Sequence, residues 1–299
     1  GVTPVPGVPS EPETFYMGIA SGGLFRTTDG GETWTPVTDG KVPLGSTGCI
    51  TVADSNPNIV YLGTGSDGVR SNVSTGRGVY KSTDAGRTWT RLGLNDAQQI
   101  PRIDVDPRNA NRLFVAALGH PYGPNEERGI FRSLDGGKTF QKVLYKDENT
   151  GGNDIDIDPA DPNIVYATLW EERQGPWENA VWAGTGGGIF KSTDGGTTWK
   201  PLTKGLPAVI QANLAISPAD RRRLYAAVAF AEQGVSDDDL ALSRVVRRRV
   251  PAIMSPQRIL DRTAKDRIGV VGDVAERTWL AGNPCCCARS RISCSMNCR

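Results

Sequence analysis

Histidine is almost absent from this sequence, and His120 is the only one among 299 residues. An HExxH zinc site needs two histidines and is therefore excluded, and a serine–histidine triad would have to use His120 itself. The chain contains no GxSxG string, the usual turn for such a serine. We expect His120 to be a loop residue with an ordinary hydrogen bond, and ligand binding is the alternative role.

Cysteine, net charge and long apolar runs are scarce as well. Cys49 is the only cysteine before Cys285, and the other five lie in the last fifteen residues, so we expect no disulfide in the main body. The 34 basic residues nearly balance the 33 acidic ones, and no aromatic-basic stripe indicates a nucleic-acid partner. No segment approaches the roughly 18 to 20 apolar residues of a membrane span.

Glycine and proline, by contrast, are abundant, with 36 and 20 residues. They divide the chain into short apolar runs, which are typical of strands, and no long helical pattern survives before about residue 235. The sequence therefore predicts an all-β protein.

A string of nine residues occurs four times in this chain. The copies are "RTTDGGETW", "KSTDAGRTW", "RSLDGGKTF" and "KSTDGGTTW". Their aspartates, Asp29, Asp84, Asp135 and Asp194, are 55, 51 and 59 residues apart. Asp can accept hydrogen bonds from backbone N–H groups ahead of it, and Gly supplies the positive φ of a tight hairpin. We therefore expect all four aspartates to be structural.

A second motif alternates with the first at the same spacing. Its copies are "ITVADSNPNIVYLG", "IDVDPRNANRLFVA", "IDIDPADPNIVYAT" and "AISPADRRRLYAA", and "EPETFYMG" around Tyr16 fits an eroded fifth copy. Each unit of about 50 residues reads as four antiparallel strands, A to D, which is the pattern of a β-propeller blade. The sequence predicts an incomplete propeller of four to five blades. A β-sandwich is the alternative, but it would not explain so regular a spacing.

The first string resembles the Asp-box, or BNR, motif S/T-x-D-x-G-x-T-W/F. That motif is found in sialidases, in the sortilin-type propeller and in secreted bacterial proteins labelled BNR-repeat glycosyl hydrolases. Residues 14–229 look like the last group, notably in "GGLFRTTDGGETW" and "ALGHPYGPNEERGIFRS". The resemblance implies a structural Asp-box and a secreted or periplasmic protein. The N-terminal "GVTPVPGVPSEPETF" lacks the basic and apolar regions of a signal peptide, so we expect that such a peptide was removed. It does not fix an activity, because members differ, and no sialidase residue is carried over.

Strand direction places the A-to-B and C-to-D turns on one edge of each blade and the B-to-C loops on the other. These loops, 65–78, 118–129 and 169–188, differ in length, and variable loops on a repeating scaffold often bind ligands. The candidate ligand-binding residues are Arg70, Arg77, His120, Tyr122, Arg128, Trp170, Arg173, Trp177 and Trp182. Glu126, Glu127 and Glu171 are the candidate catalytic acids, since a glycosidase needs two carboxyls. The alternative is that the tryptophans cap the core and the charges form ion pairs.

Two further motif matches fail in context. "GTGSDG" fits GxGxxG, but a strand follows it, so no helix N-terminus is available for a phosphate. "DIDIDP" has the alternating carboxylates of a calcium loop, yet Pro159 replaces the required Gly and the string overlays strand A. We predict neither a metal nor a cofactor.

The repeat stops near residue 231. "SDDDLALSRVVRRRV" and "NPCCCARSRISCSMNCR" stand where another Asp-box is due. We interpret residues 1–231 as propeller blades and 232–299 as an Arg/Cys-rich tail that is frameshifted or disordered. A metal-binding tail is the alternative, but it lacks CxxC pairs and histidine. An open propeller leaves an edge strand and an apolar face uncovered, which predicts self-association through that edge.

The sequence thus predicts a binding scaffold whose long-loop edge takes a glycan or a peptide. One alternative is a glycoside hydrolase that uses the loop carboxylates. A second is a sortilin-like protein-interaction propeller that binds peptides without turnover.

Overall fold

The structure is a computed structural model that describes residues 6–19, 22–43, 46–66, 73–173, 184–217, 220 and 223–230, and the backbone of 243–249 and 269–271. Strands and turns make up this described part, in which no helix occurs. Accordingly, no helix there is long and apolar enough to cross a bilayer.

The described strands form five antiparallel sheets of four, and in every sheet the strands lie in chain order. We call these sheets blades 1 to 5, with strands A to D in each. Blades 1 and 2 comprise β1 (Gly7–Val8), β2 (Glu11–Ile19), β3 (Gly23–Thr27), β4 (Thr35–Pro36), β5 (Thr47–Val52), β6 (Val60–Thr64), β7 (Val79–Ser82) and β8 (Thr90–Gly93). Blades 3 and 4 comprise β9 (Arg102–Val105), β10 (Leu113–Ala117), β11 (Gly129–Ser133), β12 (Gln141–Leu144), β13 (Thr150–Ile157), β14 (Val165–Glu171), β15 (Gly188–Ser192) and β16 (Lys200–Pro201). Blade 5 comprises β17 (Val209–Ile216), β18 (Arg223–Phe230), β19 (Ser243–Arg249) and β20 (Gly269–Val271).

Five small sheets in series confirm the predicted propeller and exclude a two-sheet sandwich. Close strand packing connects each blade to the next, from blade 1 through blade 5. Each junction holds its own apolar layer, such as Tyr61 and Val79 of blade 2 against Leu113, Val115 and Phe131 of blade 3. Because a middle blade is covered on both faces, strands β6 and β10 are buried at every residue.

The same residue pair recurs at the centre of each blade, where an aromatic on strand B pairs with a basic residue on strand C. The pairs are Tyr16–Arg26, Tyr61–Lys81, Phe114–Arg132, Tyr166–Lys191 and Tyr225–Arg247. The strand around Tyr16 is therefore strand B of a complete four-stranded blade, as the eroded fifth copy predicted. The shared register makes residues at equivalent positions directly comparable between blades.

The Asp-box closes its own hairpin with a fixed set of hydrogen bonds. In the third copy, the Ser133 hydroxyl donates to Asp135 Oδ1 at 2.8 Å and accepts the Gly137 N–H at 2.8 Å. Asp135 also accepts the N–H and the hydroxyl of Thr139, at 3.0 and 2.7 Å. The same set surrounds the other box aspartates, Asp29, Asp84 and Asp194. Hydrogen bonds from Thr88 and Ser82, for example, lower the pKa of Asp84 to about 2, so these carboxylates are ionised at neutral pH.

The residue after the box aspartate joins three parts of the propeller. Gly136 donates its N–H to the carbonyl of Asn111 in the A-to-B turn of its own blade, at 2.7 Å. Its carbonyl accepts Lys81 Nζ of the preceding blade at 3.3 Å. The A-to-B and C-to-D turns therefore share one edge, as strand direction predicted.

Equivalent residues make the same contacts at two other junctions. Ala85 donates to Asn58 O at 2.9 Å and its carbonyl accepts the Tyr16 hydroxyl at 3.1 Å. Gly195 donates to Asn163 O at 2.9 Å and its carbonyl accepts Arg132 Nη1 at 2.8 Å. The acceptor is always the same main-chain carbonyl, whereas the donor side chain differs.

Strands β19 and β20 lie beyond the predicted boundary at residue 231. Because β19 pairs with β18 and β20 pairs with β19, they supply strands C and D of blade 5. The interpretation of 232–299 as an unrelated tail stays a prediction. The cysteines of that segment, Cys285, Cys286, Cys287, Cys294 and Cys298, lie outside the described residues. Cys49 is a buried thiol in strand β5.

Asp154 and Asp156 of "DIDIDP" are buried on strand A of blade 4, and together with Asp104 on strand A of blade 3 they join blades. Asp104 Oδ2 accepts the Ile157 N–H and Asp154 Oδ2 accepts the Leu214 N–H, each at 2.6 Å and each from the following blade. Asp156 contacts Arg102 at 3.2 Å. Burial, and then the neighbouring carboxylate of Asp154, raises the pKa of Asp156, and burial raises that of Asp104 to about 6. One arginine thus faces three buried carboxyls.

We predict that Ser133→Ala lowers the free energy of unfolding by about 1–3 kcal/mol, because it leaves the buried Gly137 N–H unpaired. Leu134→Ala is the control, since this neighbouring side chain is 61% exposed and its loss should change stability by less than about 0.5 kcal/mol. Urea unfolding measures both. Equal effects of the two changes would contradict a structural role of the box hydroxyl.

We also predict that Asp156→Asn stabilises the protein more at pH 8 than at pH 5. A carboxyl whose pKa rises on folding binds its proton more tightly in the native state, so stability falls as pH rises above the unfolded pKa near 4. The asparagine side chain of the variant does not ionise, so the variant does not lose this stability as pH rises. A difference of about 1 kcal/mol would shift the melting temperature by roughly 2–4 °C.

The control for this pH effect is Asp194→Asn. The pKa of Asp194 is lowered, first by its hydrogen bonds from Thr198, so its contribution is fully present above pH 4 and is lost only as pH falls further. Its effect on the melting temperature should therefore be the same at pH 5 and pH 8. A pH-independent effect of Asp156→Asn would show that its carboxyl ionises normally in the folded state.

Candidate functional site

The long-loop edge lies opposite the Asp-boxes, and its best described element is loop 118–129 of blade 3. Asn125 holds this loop from inside. Its Oδ1 accepts the His120 N–H at 3.1 Å, and its Nδ2 donates to the carbonyls of His120 and Gly123 at 3.2 and 3.0 Å. Asn125 N–H in turn donates to Glu148 O at 2.9 Å, which ties the loop to the D-to-A connection of the same blade.

Arg128 lies beneath this loop and connects it to blade 4. Its Nη2 donates to the carbonyls of His120 and Gly123 at 3.0 and 3.3 Å. Its Nη1 lies 3.7 Å from Glu172 Oε1, and both side chains are only 1% exposed. At that length the contact is an ion pair rather than a hydrogen bond.

Burial dominates the electrostatics of this pair. It raises the pKa of Glu172 to about 7, against the opposing effect of Arg128, and it lowers the pKa of Arg128. Both oxygens of Glu172 and both Nε and Nη1 of Arg128 are buried without a hydrogen-bond partner. The pair therefore positions the loop, and its charge depends on pH near neutrality.

Two tyrosines are exposed on this edge. Tyr122, in the loop, is 43% exposed and Tyr145, at the end of strand D, is 40% exposed. Lys142 lies 4.3 Å from the ring centroid of Tyr145 and donates to the carbonyl of Glu126. Partial desolvation, followed by the nearby carboxylates Glu148, Glu126 and Asp147, raises the pKa of Tyr145. The hydroxyl of Tyr145 therefore lies in an acidic neighbourhood.

The structure brings several of the sequence candidates together in loop 118–129. His120 Nε2 lies 3.9 Å from Glu127 Oε2, with the two side chains 36% and 34% exposed. Glu126 is exposed beside them. Glu171 belongs to blade 4, where its Oε2 accepts the Gly186 N–H at 2.6 Å.

Other candidates lie elsewhere. Arg128 and Trp170 are buried, Trp170 with Leu118 and Ile210, and their role in ligand binding stays a prediction. Arg77 and Arg173 are exposed, on the loops of blades 2 and 4. Arg70, Trp177 and Trp182 lie outside the described residues.

Tyr145 and Lys142 were missed from the sequence. Lys142 lies in strand β12 and Tyr145 begins the D-to-A connection. This connection shares the long-loop edge, so an aromatic directly after strand D was the available signal. Within the described ranges, no group of three His, Cys, Asp or Glu side chains is placed to hold a metal ion. A cavity of about 440 Å³, lined by Glu11, Pro12, Glu13, Thr14 and Thr28, lies at the Asp-box edge of blade 1 and is separate from these residues.

Comparison with protein families gives two matches. The Sortilin-Vps10 model, described as sortilin, neurotensin receptor 3, matches residues 77–239, which is more than half of the chain. The BNR/Asp-box repeat model matches residues 25–36. Both agree with the resemblance that the four boxes carry.

Curated relatives and solved structures extend the comparison. A xyloglucanase of Paenibacillus sp. is 29% identical over 65% of this chain and 20% of its own length. The photosystem II assembly lipoprotein Ycf48 of Synechococcus sp. is 27% identical over 59% of this chain and 55% of its own. The crystal structure of an ancestral GH74 enzyme has a TM-score of 0.62 and 21% identity, covering 85% of this chain and 30% of its own, and it supports the fold alone. The chain thus spans about a fifth of the first xyloglucanase.

We predict that Arg128→Met lowers the free energy of unfolding by about 3–5 kcal/mol at pH 8, because it leaves the Glu172 carboxylate buried and unpaired. The loss should be smaller at pH 5, where Glu172 is protonated. The double variant Arg128→Met, Glu172→Leu should recover much of the stability, since it removes both charges. Denaturant melts at the two pH values test this, and additive losses in the double variant would contradict the pairing.

Proposed function

The chain belongs to the Sortilin-Vps10 family, and from this premise we propose that it is a glycan-binding Asp-box propeller whose long-loop edge forms the binding surface. The xyloglucanase relatives favour a β-linked polysaccharide of the xyloglucan class as the ligand. A secreted or periplasmic location is part of the proposal, because a polymeric glycan does not cross a cell membrane.

The observation that carries the proposal is the pair of exposed tyrosines, Tyr122 and Tyr145, on one edge of blade 3. An exposed aromatic ring offers an apolar face to the C–H groups of a sugar. Carboxylates near Tyr145, including Glu126 and Glu148, can accept hydrogen bonds from sugar hydroxyls. Asn125 and Arg128 fix this loop from below, so little loop ordering opposes binding.

Hydrolysis is the second candidate, and the xyloglucanase relatives favour it. A glycosidase needs two carboxyls about 5 to 9 Å apart across the scissile bond. Glu126 and Glu127 on blade 3 and Glu171 on blade 4 are the acids we propose to test. The chain covers only about a fifth of the first xyloglucanase, so the reaction of that protein is not transferred here as a whole.

Peptide binding is the third candidate, favoured by the sortilin family model. Glycan and peptide surfaces both use exposed tyrosines, but a sugar site loses affinity when the flat ring is removed and keeps it when the phenol hydroxyl alone is removed. Tyr→Phe and Tyr→Ala changes at the same position therefore separate ring stacking from hydrogen bonding.

We predict that the chain binds xyloglucan oligosaccharides in calorimetric titrations and that Tyr122→Ala and Tyr145→Ala each weaken binding about threefold to tenfold. Tyr→Phe at either position should have a smaller effect. Leu134→Ala is the control, because this exposed residue lies in an Asp-box on the opposite edge. Affinity that does not respond to either tyrosine, or no binding to the oligosaccharides, would contradict the proposal.

The same samples decide between binding and hydrolysis. Release of reducing ends that disappears in Glu127→Gln or Glu171→Gln, with binding retained, would make the chain a hydrolase. Binding without release in the unmodified chain would make it a binding module.

A further inference from the structure

Asp-Gly pairs occur in this chain both inside and outside the Asp-boxes. Three belong to boxes, namely Asp29–Gly30, Asp135–Gly136 and Asp194–Gly195. A fourth, Asp39–Gly40, lies in the connection between strand D of blade 1 and strand A of blade 2, and a fifth, Asp67–Gly68, lies outside the described residues. In such a pair the backbone nitrogen of the glycine can attack the carboxyl of the aspartate, because glycine has no side chain to hinder the approach.

The box fold opposes this attack at both reacting atoms. The N–H groups of Gly30, Gly136 and Gly195 donate to carbonyls of the A-to-B turns at 3.0, 2.7 and 2.9 Å. Attack requires this peptide to rotate, which would break the hydrogen bond. The N–H and then the hydroxyl of Thr139 lower the pKa of Asp135 by their hydrogen bonds, and a carboxylate that stays ionised and held in place is a poor electrophile.

The backbone around Asp39–Gly40 carries no such restraint. Lys41 N–H donates to Thr38 O at 2.9 Å, and Gly40 has a φ of 68°, so residues 38–41 form a β-turn of the type II pattern. The peptide between Asp39 and Gly40 is the central peptide of this turn and takes no part in its hydrogen bond. It can therefore rotate while the turn stays closed.

The surroundings of the pair are open as well. Asp39 and Gly40 are both exposed, and a methyl group added at Gly40 would meet nothing within 4 Å. In the part of the chain that the structure describes, neither the Asp39 carboxyl nor the Gly40 N–H has a hydrogen-bond partner. The reacting groups can therefore move, and water reaches them freely.

We infer that Asp39 is a site of spontaneous isomerisation to isoaspartate, whereas the fold protects the aspartates of the boxes. The Gly40 nitrogen forms a bond to Cγ of Asp39, and the carboxyl hydroxyl leaves with the N–H proton as water, which closes a five-membered succinimide ring. Water then adds to one of the two ring carbonyls. Cleavage of the new N–Cγ bond restores aspartate, and cleavage of the bond from nitrogen to the main-chain carbonyl carbon gives isoaspartate. This inference does not depend on the glycan proposal.

The additional backbone atom of isoaspartate falls between two anchored residues. Thr38 Oγ1 accepts the Leu24 N–H of blade 1 at 2.9 Å, and Val42 packs with Leu62 and Tyr80 of blade 2. Val42 N–H also donates to Thr38 O at 2.9 Å, a hydrogen bond that spans the modified pair. The longer main chain disturbs this hydrogen bond, so isomerisation weakens the contact of the connection with blade 2 and lowers the melting temperature.

Storage of the folded full chain at mildly acidic pH, followed by peptide mapping, tests the inference. Isoaspartate is identified in each peptide by mass spectrometry and by its methylation with a protein isoaspartyl methyltransferase. We expect it to accumulate at Asp39 at least about tenfold faster than at Asp29, Asp135 or Asp194, because several hydrogen bonds must open before a box aspartate can react. Asp39→Glu keeps the charge but would have to close a six-membered ring, so it should abolish both the modification at this site and the accompanying fall in melting temperature.

The same chain unfolded in urea is the matched control. Unfolding removes the hydrogen bonds of the boxes, so Asp29, Asp39, Asp135 and Asp194 should then form isoaspartate at similar rates. A native rate at Asp39 no higher than the rates at the box aspartates would overturn the inference. It would also be overturned if the preference for Asp39 persisted unchanged in urea, because the local sequence rather than the fold would then set the rate.

Discussion

The residue that follows the box aspartate is the connection on which the propeller depends. In blades 2, 3 and 4 its N–H bonds to the A-to-B turn of its own blade, and its carbonyl accepts a side chain from the blade before. The box carboxylate and hydroxyl hold that residue in place by accepting hydrogen bonds from the neighbouring N–H groups. A single hairpin therefore fixes the twist of one blade and its spacing from the next. The long loops are positioned indirectly, because they start from the opposite ends of the same strands.

Burial on both faces of each inner blade sets the second constraint. Apolar side chains satisfy it almost everywhere, but Arg102 on strand A of blade 3 forms ion pairs with Asp154 and Asp156 on strand A of blade 4. Asp104 and Asp154 compensate their burial by accepting backbone N–H groups of the following blade. Arg128 and Glu172 form a comparable buried ion pair at the loop edge, where burial raises the pKa of Glu172 to about 7 and neither of its oxygens accepts a hydrogen bond. Apolar packing is not directional, so these polar contacts fix the position of each blade relative to the next.

Sequence alone predicted the blade, its strand order and the edge on which the boxes lie, because the repeat spacing and the Asp-Gly turns are local signals. It also placed Tyr16 in an additional blade. Exposure was not predictable in the same way: Arg128 and Trp170 look like ligand residues in the sequence, but neighbouring blades cover them. Tyr145 was missed although strand direction places the D-to-A connection on the long-loop edge, because the sequence does not show that its ring is exposed. Contacts between distant segments decide such cases, and a single sequence does not record them.

The donor to the carbonyl that recurs in blades 2, 3 and 4 is a tyrosine hydroxyl, a lysine ammonium and an arginine guanidinium at three successive junctions. Since the receiving atom belongs to the main chain, no particular side chain has to be retained for two blades to fit. Gene duplication or deletion can then add or remove a whole blade without matched changes in its neighbours. Substitution of the donor side chain leaves the hydrogen bond between blades in place. Families of such proteins are therefore free to differ in blade number while they keep one and the same way of joining blades.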